Sequence, residues 1–144
     1  MGPLVGLAGS RRLPMTAARV VLAGGPRTGK TTAADAIAAR RGLVARHTDD
    51  LIGRFKWSED SAEVARWFDV EGPWVIEGVA AVRALRKWLE ARPAGRPCDR
   101  VLWMHRAKVA RTAGQETMAK GAATGWSGVV RELRARGVLV EAEA

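Results

Sequence analysis

The chain of 144 residues has one cysteine, Cys98, and neither tyrosine nor asparagine. A single cysteine excludes an internal disulfide and fits a reducing, cytoplasmic setting. With only two histidines, His47 and His105, it gives at most three metal ligands, without the spacing of a zinc site. Cys98 therefore reads as a small apolar residue ahead of a strand. No apolar run reaches about 18 residues, so no membrane-spanning helix is expected. Acidic residues are in deficit, 15 against 24 Lys and Arg, which leaves a net charge of +9. Such an excess attracts phosphates and polyanions. It is mostly arginine dispersed through an Ala/Gly/Arg-rich chain, with no basic cluster interleaved with aromatics to mark a nucleic-acid surface.

With 47% hydrophobic and 27% charged residues, the composition is that of an ordered globular protein, and the length suits one core. Residues 1–16, rich in Gly and Pro, lack the charge-then-apolar order of a secretory signal and read as a disordered leader. The domain is expected over 17–144.

Within it, apolar β-branched runs alternate with helix-forming stretches. Strands are expected at 19–23, 43–46, 74–76, 101–104 and 138–140. Helices are expected at 31–41, 58–68 (Ser58 as N-cap), 79–91 and 126–136, with 105–125 a polar, basic connection. This order predicts an α/β fold, a three-layer sandwich around a mainly parallel five-stranded sheet.

Between the first strand and first helix lies Gly24-Gly25-Pro26-Arg27-Thr28-Gly29-Lys30-Thr31, which matches G-x-x-x-x-G-K-[ST], the Walker A loop, at every fixed position. The glycines let backbone N–H groups approach phosphate oxygens, and the helix that follows points its positive end at the same anion. Lys30 can reach β- and γ-phosphates, the Thr31 hydroxyl can ligate magnesium, and Thr32 falls nearer the α-phosphate.

On this loop, and on the strand and helix that flank it, the chain from Arg19 onward resembles the P-loop kinases, the P-loop NTPase group that includes nucleoside monophosphate kinases, shikimate kinase and polynucleotide kinases. The resemblance implies strand order 2-3-1-4-5, ATP-Mg as donor, an acceptor site over the carboxyl ends of the strands, and a lid late in the chain.

In open parallel sheets ligands bind beyond the carboxyl ends of the strands. Asp49 and Asp50 follow the second expected strand. The pair resembles the carboxylate that orients or deprotonates the acceptor in such kinases; capping of a short helix before Gly53 is the other reading. Glu77, after the third strand, resembles a Walker B carboxylate that contacts magnesium through water, although Glu replaces the usual Asp and the strand is short. Gly78 beside it leaves room for close approach of a substrate or of backbone. Arg106, Lys108, Arg111 and Lys120 could supply lid charge, and Arg54, Arg83 and Arg86 could bind an anionic acceptor. Of six tryptophans, Trp67, Trp74, Trp88 and Trp103 read as core, and Trp57 is the candidate for stacking on an acceptor. The expectation is a kinase that moves the γ-phosphoryl of ATP-Mg to a small acceptor, a nucleoside or nucleotide first. Lys30, Asp49 and Asp50 would be its catalytic residues, and Thr31 and Glu77 would hold its metal. A polynucleotide 5′-hydroxyl kinase and a hydrolysing ATPase or switch are the alternatives.

Overall fold

The computed structural model describes residues 18–52 and 57–143, so the leader, Arg54, and the side chains of Trp57 and Ser58 lie outside the described residues. The first strand, β1 (Arg19–Gly24), leads through the loop to α1 (Lys30–Arg40). Next come β2 (Arg46–His47), a 3-10 turn (Thr48–Leu51) and α2 (Trp57–Trp67). Then follow β3 (Trp74–Gly78), α3 (Ala81–Ala91), β4 (Arg100–Met104), α4 (Ala113–Ala135) and β5 (Leu139–Ala142). All five strands are parallel, in the order β2-β3-β1-β4-β5 that the resemblance implies.

Side chains alternate across a strand, so each strand feeds two cores. Val20 and Leu22 of β1, with Val75 and Met104, pack against Ala34 and Ala38 of α1. Val21 and Ala23, with Ile76, Val101 and Trp103, face a larger cluster built from Val64 and Trp67 of α2, Val82, Leu85 and Trp88 of α3, and Val129 and Leu133 of α4. Helices therefore cover both faces. The alanine-rich α1 can lie close to its face, while the opposite face needs tryptophans to fill a deeper layer. Trp74 and Trp103 are buried as expected, the latter stacked on Trp126 with ring centroids 4.9 Å apart. Cys98 is fully buried ahead of β4, and burial pushes its thiol up to about 12.

Two elements differ from the sequence expectation. The second strand is not 43–46 but only Arg46–His47, paired to Ile76 and Glu77. Leu43 is spent on ending α1, its N–H donating to the Ala38 carbonyl at 2.9 Å, and Val44 faces solvent. The last helix is not 126–136 but 23 residues long, starting at Ala113. Glycines at 114, 121, 125 and 128 hid its periodicity. Its start is a capping box: Gln115 N–H donates to Thr112 Oγ1 at 3.1 Å and Thr112 N–H donates to Gln115 Oε1 at 2.9 Å.

At the end of the sheet away from the loop, Asp99 ties β1 to the entry of β4. It accepts from the Arg19 backbone N–H at 2.8 Å and from the Arg19 guanidinium at 3.2 Å twice, with Arg96 at 3.5 Å. Burial works against the carboxylate, but the bonds from Arg19 outweigh it and hold the pKa below the usual range. A depressed folded pKa gives stability that is present above the unfolded value of about 4 and lost as pH falls through the folded one. Asp99→Ala is expected to cost about 3 kcal/mol, measured by denaturant unfolding at pH 7. Asp99→Asn should flatten the acid side of the melting-temperature profile; an unchanged acid limb would rule Asp99 out as its source.

Candidate functional site

The site lies where the chain leaves the middle of the sheet in opposite directions. From β1 it turns to α1 on one face, and from neighbouring β3 it turns to α3 on the other, so a crevice opens beyond the carboxyl ends of these strands. Gly24 ends β1 at φ 153°, where a Cβ would stand 2.0 Å from the Met104 carbonyl oxygen. Only glycine lets β1 and β4 stay paired to their last residues while the chain turns. Arg27 and Gly29 also have positive φ, 65° and 86°, and the loop curls around the head of α1.

Lys30 opens α1 with its side chain folded inward and almost fully buried. Its Nζ donates to the Gly25 carbonyl at 2.5 Å and to Thr28 Oγ1 at 3.3 Å; Thr28 itself donates to Gly25 O at 3.1 Å. Burial lowers the lysine pKa and the charge of Arg111 lowers it further, while Glu77 and Asp49 pull the other way. The ammonium thus sits on a neutral carbonyl, with two carboxylates in its field.

Glu77 is buried at the end of β3, between β1 and β2. Thr31 Oγ1 donates to its Oε2 at 3.0 Å, and His47 Nδ1 lies 2.6 Å from the same oxygen. The other ring nitrogen of His47 is 3.1 Å from Asp35 of α1. Burial alone would lower the His47 pKa; the hydrogen bond to Glu77 and the charges of Glu77, Asp35 and Asp50 outweigh it and raise the value. Thr31 and Glu77, expected to share a metal, are therefore brought together. Two oxygen donors at the mouth of an open cleft fit a hard cation such as magnesium, which keeps several waters and takes its remaining ligands from phosphate oxygens.

The cleft over these groups encloses about 330 Å3. Pro26 through Thr32 line it together with Asp49 and Ile52, Glu77 and Gly78 at the end of β3 and Val79 after them, and Gln115 and Met118 of α4. Of the loop's eight residues, Gly24 and Gly25 lie behind it; Gly25 faces a smaller recess beside Trp103 and Arg111. Asp49 and Asp50 do not follow a strand directly but sit in the 3-10 turn, whose N-cap is His47, with no side-chain cap. The structure separates them: Asp49 lines the cleft, whereas Asp50 is exposed and outside its lining. Gly78, itself in the cleft lining, leaves room for Thr48, whose Oγ1 would lie 1.7 Å from a Cβ built at φ 149°. Gly78→Ala combines that overlap with a strained backbone and is expected to cost at least about 3 kcal/mol. Thermal unfolding checks it, and an undisturbed melting temperature would contradict the packing described.

The basic connection after β4 lies across the loop. Lys108 N–H donates to the Arg27 carbonyl at 2.7 Å and Arg111 Nε to the Pro26 carbonyl at 2.8 Å. Arg111 is largely enclosed and also pairs with Glu116, whereas Lys108 Nζ is held by Glu143 at 2.8 Å. The Arg106 backbone, not its side chain, meets Glu143, and exposed Lys120 borders the recess beside Gly25. Of these four cations, Arg111 is the one whose charged group bonds the loop. His47, Gln115, Val79 and Met118 were not singled out from sequence. His47 could have been, since it opens the polar run His47-Thr48-Asp49-Asp50. Arg83 and Arg86 lie together on a neighbouring groove. Among the described residues no group of three or more His, Cys, Asp or Glu forms a metal cage. No known protein-family model matches the chain, and no curated protein matches it.

Proposed function

We infer that the chain binds a nucleoside triphosphate with magnesium at the loop 24–31 and transfers its γ-phosphoryl group to a small acceptor, with nucleosides and nucleotides the first class to test. The observation that carries this reading is the convergence, at one sheet crevice, of a glycine-bearing loop, a buried lysine resting on its carbonyl, and the Thr31–Glu77 pair. Each matches what a triphosphate requires: N–H donors, a mobile cation and oxygen ligands for a hard metal.

On this reading Lys30 exchanges Gly25 O for β- and γ-phosphate oxygens, a favourable trade of a neutral acceptor for an anionic one. Magnesium, when bound, neutralises charge on the same oxygens. Thr31 Oγ1 and Glu77 would hold it, and His47 fixes the Glu77 carboxylate through the Oε2 that Thr31 also bonds. Asp49, which lines the same cleft, would accept the proton of an attacking hydroxyl. Arg111, bonded to the Pro26 carbonyl from the recess beside Gly25, would add positive charge next to the loop.

The test is ADP release from ATP-Mg across nucleosides, nucleotides, sugars and 5′-hydroxyl oligonucleotides. Release that depends on one acceptor class supports the transfer reaction. Release at one rate whatever is added would make the chain a hydrolase.

A further inference from the structure

We propose that the groove between α3 and α4 is the acceptor site, and that it takes a small molecule carrying a phosphate or carboxylate at the end remote from its reacting group. The inference rests on the phosphotransfer reading above and gives it a substrate class.

The cleft over the loop does not close at Gly78. Val79 and Met118 line both it and a second cleft of about 570 Å3 that runs between the two helices. That volume lies within the range of small-molecule sites. Its floor includes the buried Val82 and Ala122, and its charged residues are Arg83 and Arg86, with no acidic side chain in the lining. Val79 sits just before α3, and Arg83 and Arg86 follow its first residue, Ala81, by about 3 and 8 Å along the axis. A molecule that spans the boundary at Val79 and Met118 can therefore reach from the loop cleft to this pair of arginines. Arginine is the side chain best matched to a terminal phosphate or carboxylate.

The α4 wall is low. A Cβ added at Gly125 would come within 2.9 Å of Val82 Cγ1, so glycine there lets the helices close up. At Gly121 it would meet nothing within 4 Å, so the space above that backbone is open to a ligand. Gly121→Leu fills the groove, and leucine favours a helix over glycine, so loss of function cannot be put down to a weakened fold.

The experiment compares the parent with Gly121→Leu and with Arg83→Gln/Arg86→Gln. Each is assayed for ATP-Mg affinity by calorimetry and for ADP release with the four common nucleoside 3′-monophosphates, whose 5′-hydroxyl is remote from the phosphate, a sugar phosphate and a hydroxycarboxylate. Every probe is run beside its uncharged counterpart. The parent should prefer an anionic probe. The double glutamine variant should raise KM for that probe at least tenfold while barely changing the value for the uncharged counterpart. Gly121→Leu should lower kcat/KM at least tenfold with melting temperature held or raised. In both, ATP-Mg affinity should stay within about twofold of the parent. If the parent binds ATP-Mg but favours no anionic probe, or if both variants turn over like it, the groove proposal is overturned and the nucleotide reading stands. If the parent does not bind ATP-Mg, the reading beneath it falls as well.

Discussion

Lys30→Ala should weaken ATP-Mg binding about a hundredfold or more and abolish turnover, with the fold retained. The expected loss follows from what Lys30 touches. Its Nζ rests on the Gly25 carbonyl and Thr28 Oγ1, inside the loop and not in either apolar core. A triphosphate offers the same ammonium several anionic oxygens in a partly desolvated cleft, and losing one partner of such a charged pair costs roughly 2–5 kcal/mol. The structural cost is smaller. The variant strips Gly25 O of a partner but also removes a cation whose burial is itself unfavourable, as its lowered pKa records. Calorimetric titration with a non-hydrolysable ATP analogue reads the affinity, and a thermal melt reads the fold. Parent-like affinity in a folded variant would remove Lys30, and with it the loop, from nucleotide binding.

Asp49→Asn should lower acceptor-dependent turnover by about a hundredfold or more, the usual scale for a general base, while ATP affinity hardly changes. Asp50→Asn should stay near the parent. The two residues are adjacent and both exposed, but only Asp49 lines the cleft; Asp50 acts on the site through its charge near His47. Helix capping cannot produce the difference, because neither caps the 3-10 turn that holds them and Asn caps about as well as Asp. Equal, parent-like turnover in both variants would remove the catalytic role from this pair and direct attention to Glu77. A larger loss at Asp50 would mean that the turn moves when substrates bind.

Much of the fold is legible in the sequence wherever a run is apolar on both faces or ends in a glycine with a job. Residues 19–23, 74–76 and 101–104 read as buried strands and lie within β1, β3 and β4. The loop is the clearest case, since its fixed glycines and Lys30 answer local needs that neighbours do not override. What was hard to read depends on tertiary contact. Leu43-Val44-Ala45 has strand composition, but capping of α1 takes its first N–H, and only Arg46 and His47 beyond it pair with β3. The glycines of α4 look like breakers until Gly125 is seen against Val82, and its true start was signalled by Thr112 and Gln115 rather than by periodicity. His47 illustrates the limit at the site. Nothing local to it foretells that Glu77, 30 residues away, will share a carboxylate oxygen with it and Thr31.

The central claim is that a triphosphate with magnesium binds at this loop, and amide chemical shifts test it most directly. On titrating the 15N-labelled chain with a non-hydrolysable ATP analogue and magnesium, the account predicts saturable changes. They should be largest at residues 25–32, excepting Pro26, which has no amide proton, with smaller changes at Glu77, Gly78 and Arg111, and should weaken when magnesium is withheld. No saturable change up to millimolar nucleotide, or changes that avoid 25–32, would contradict it.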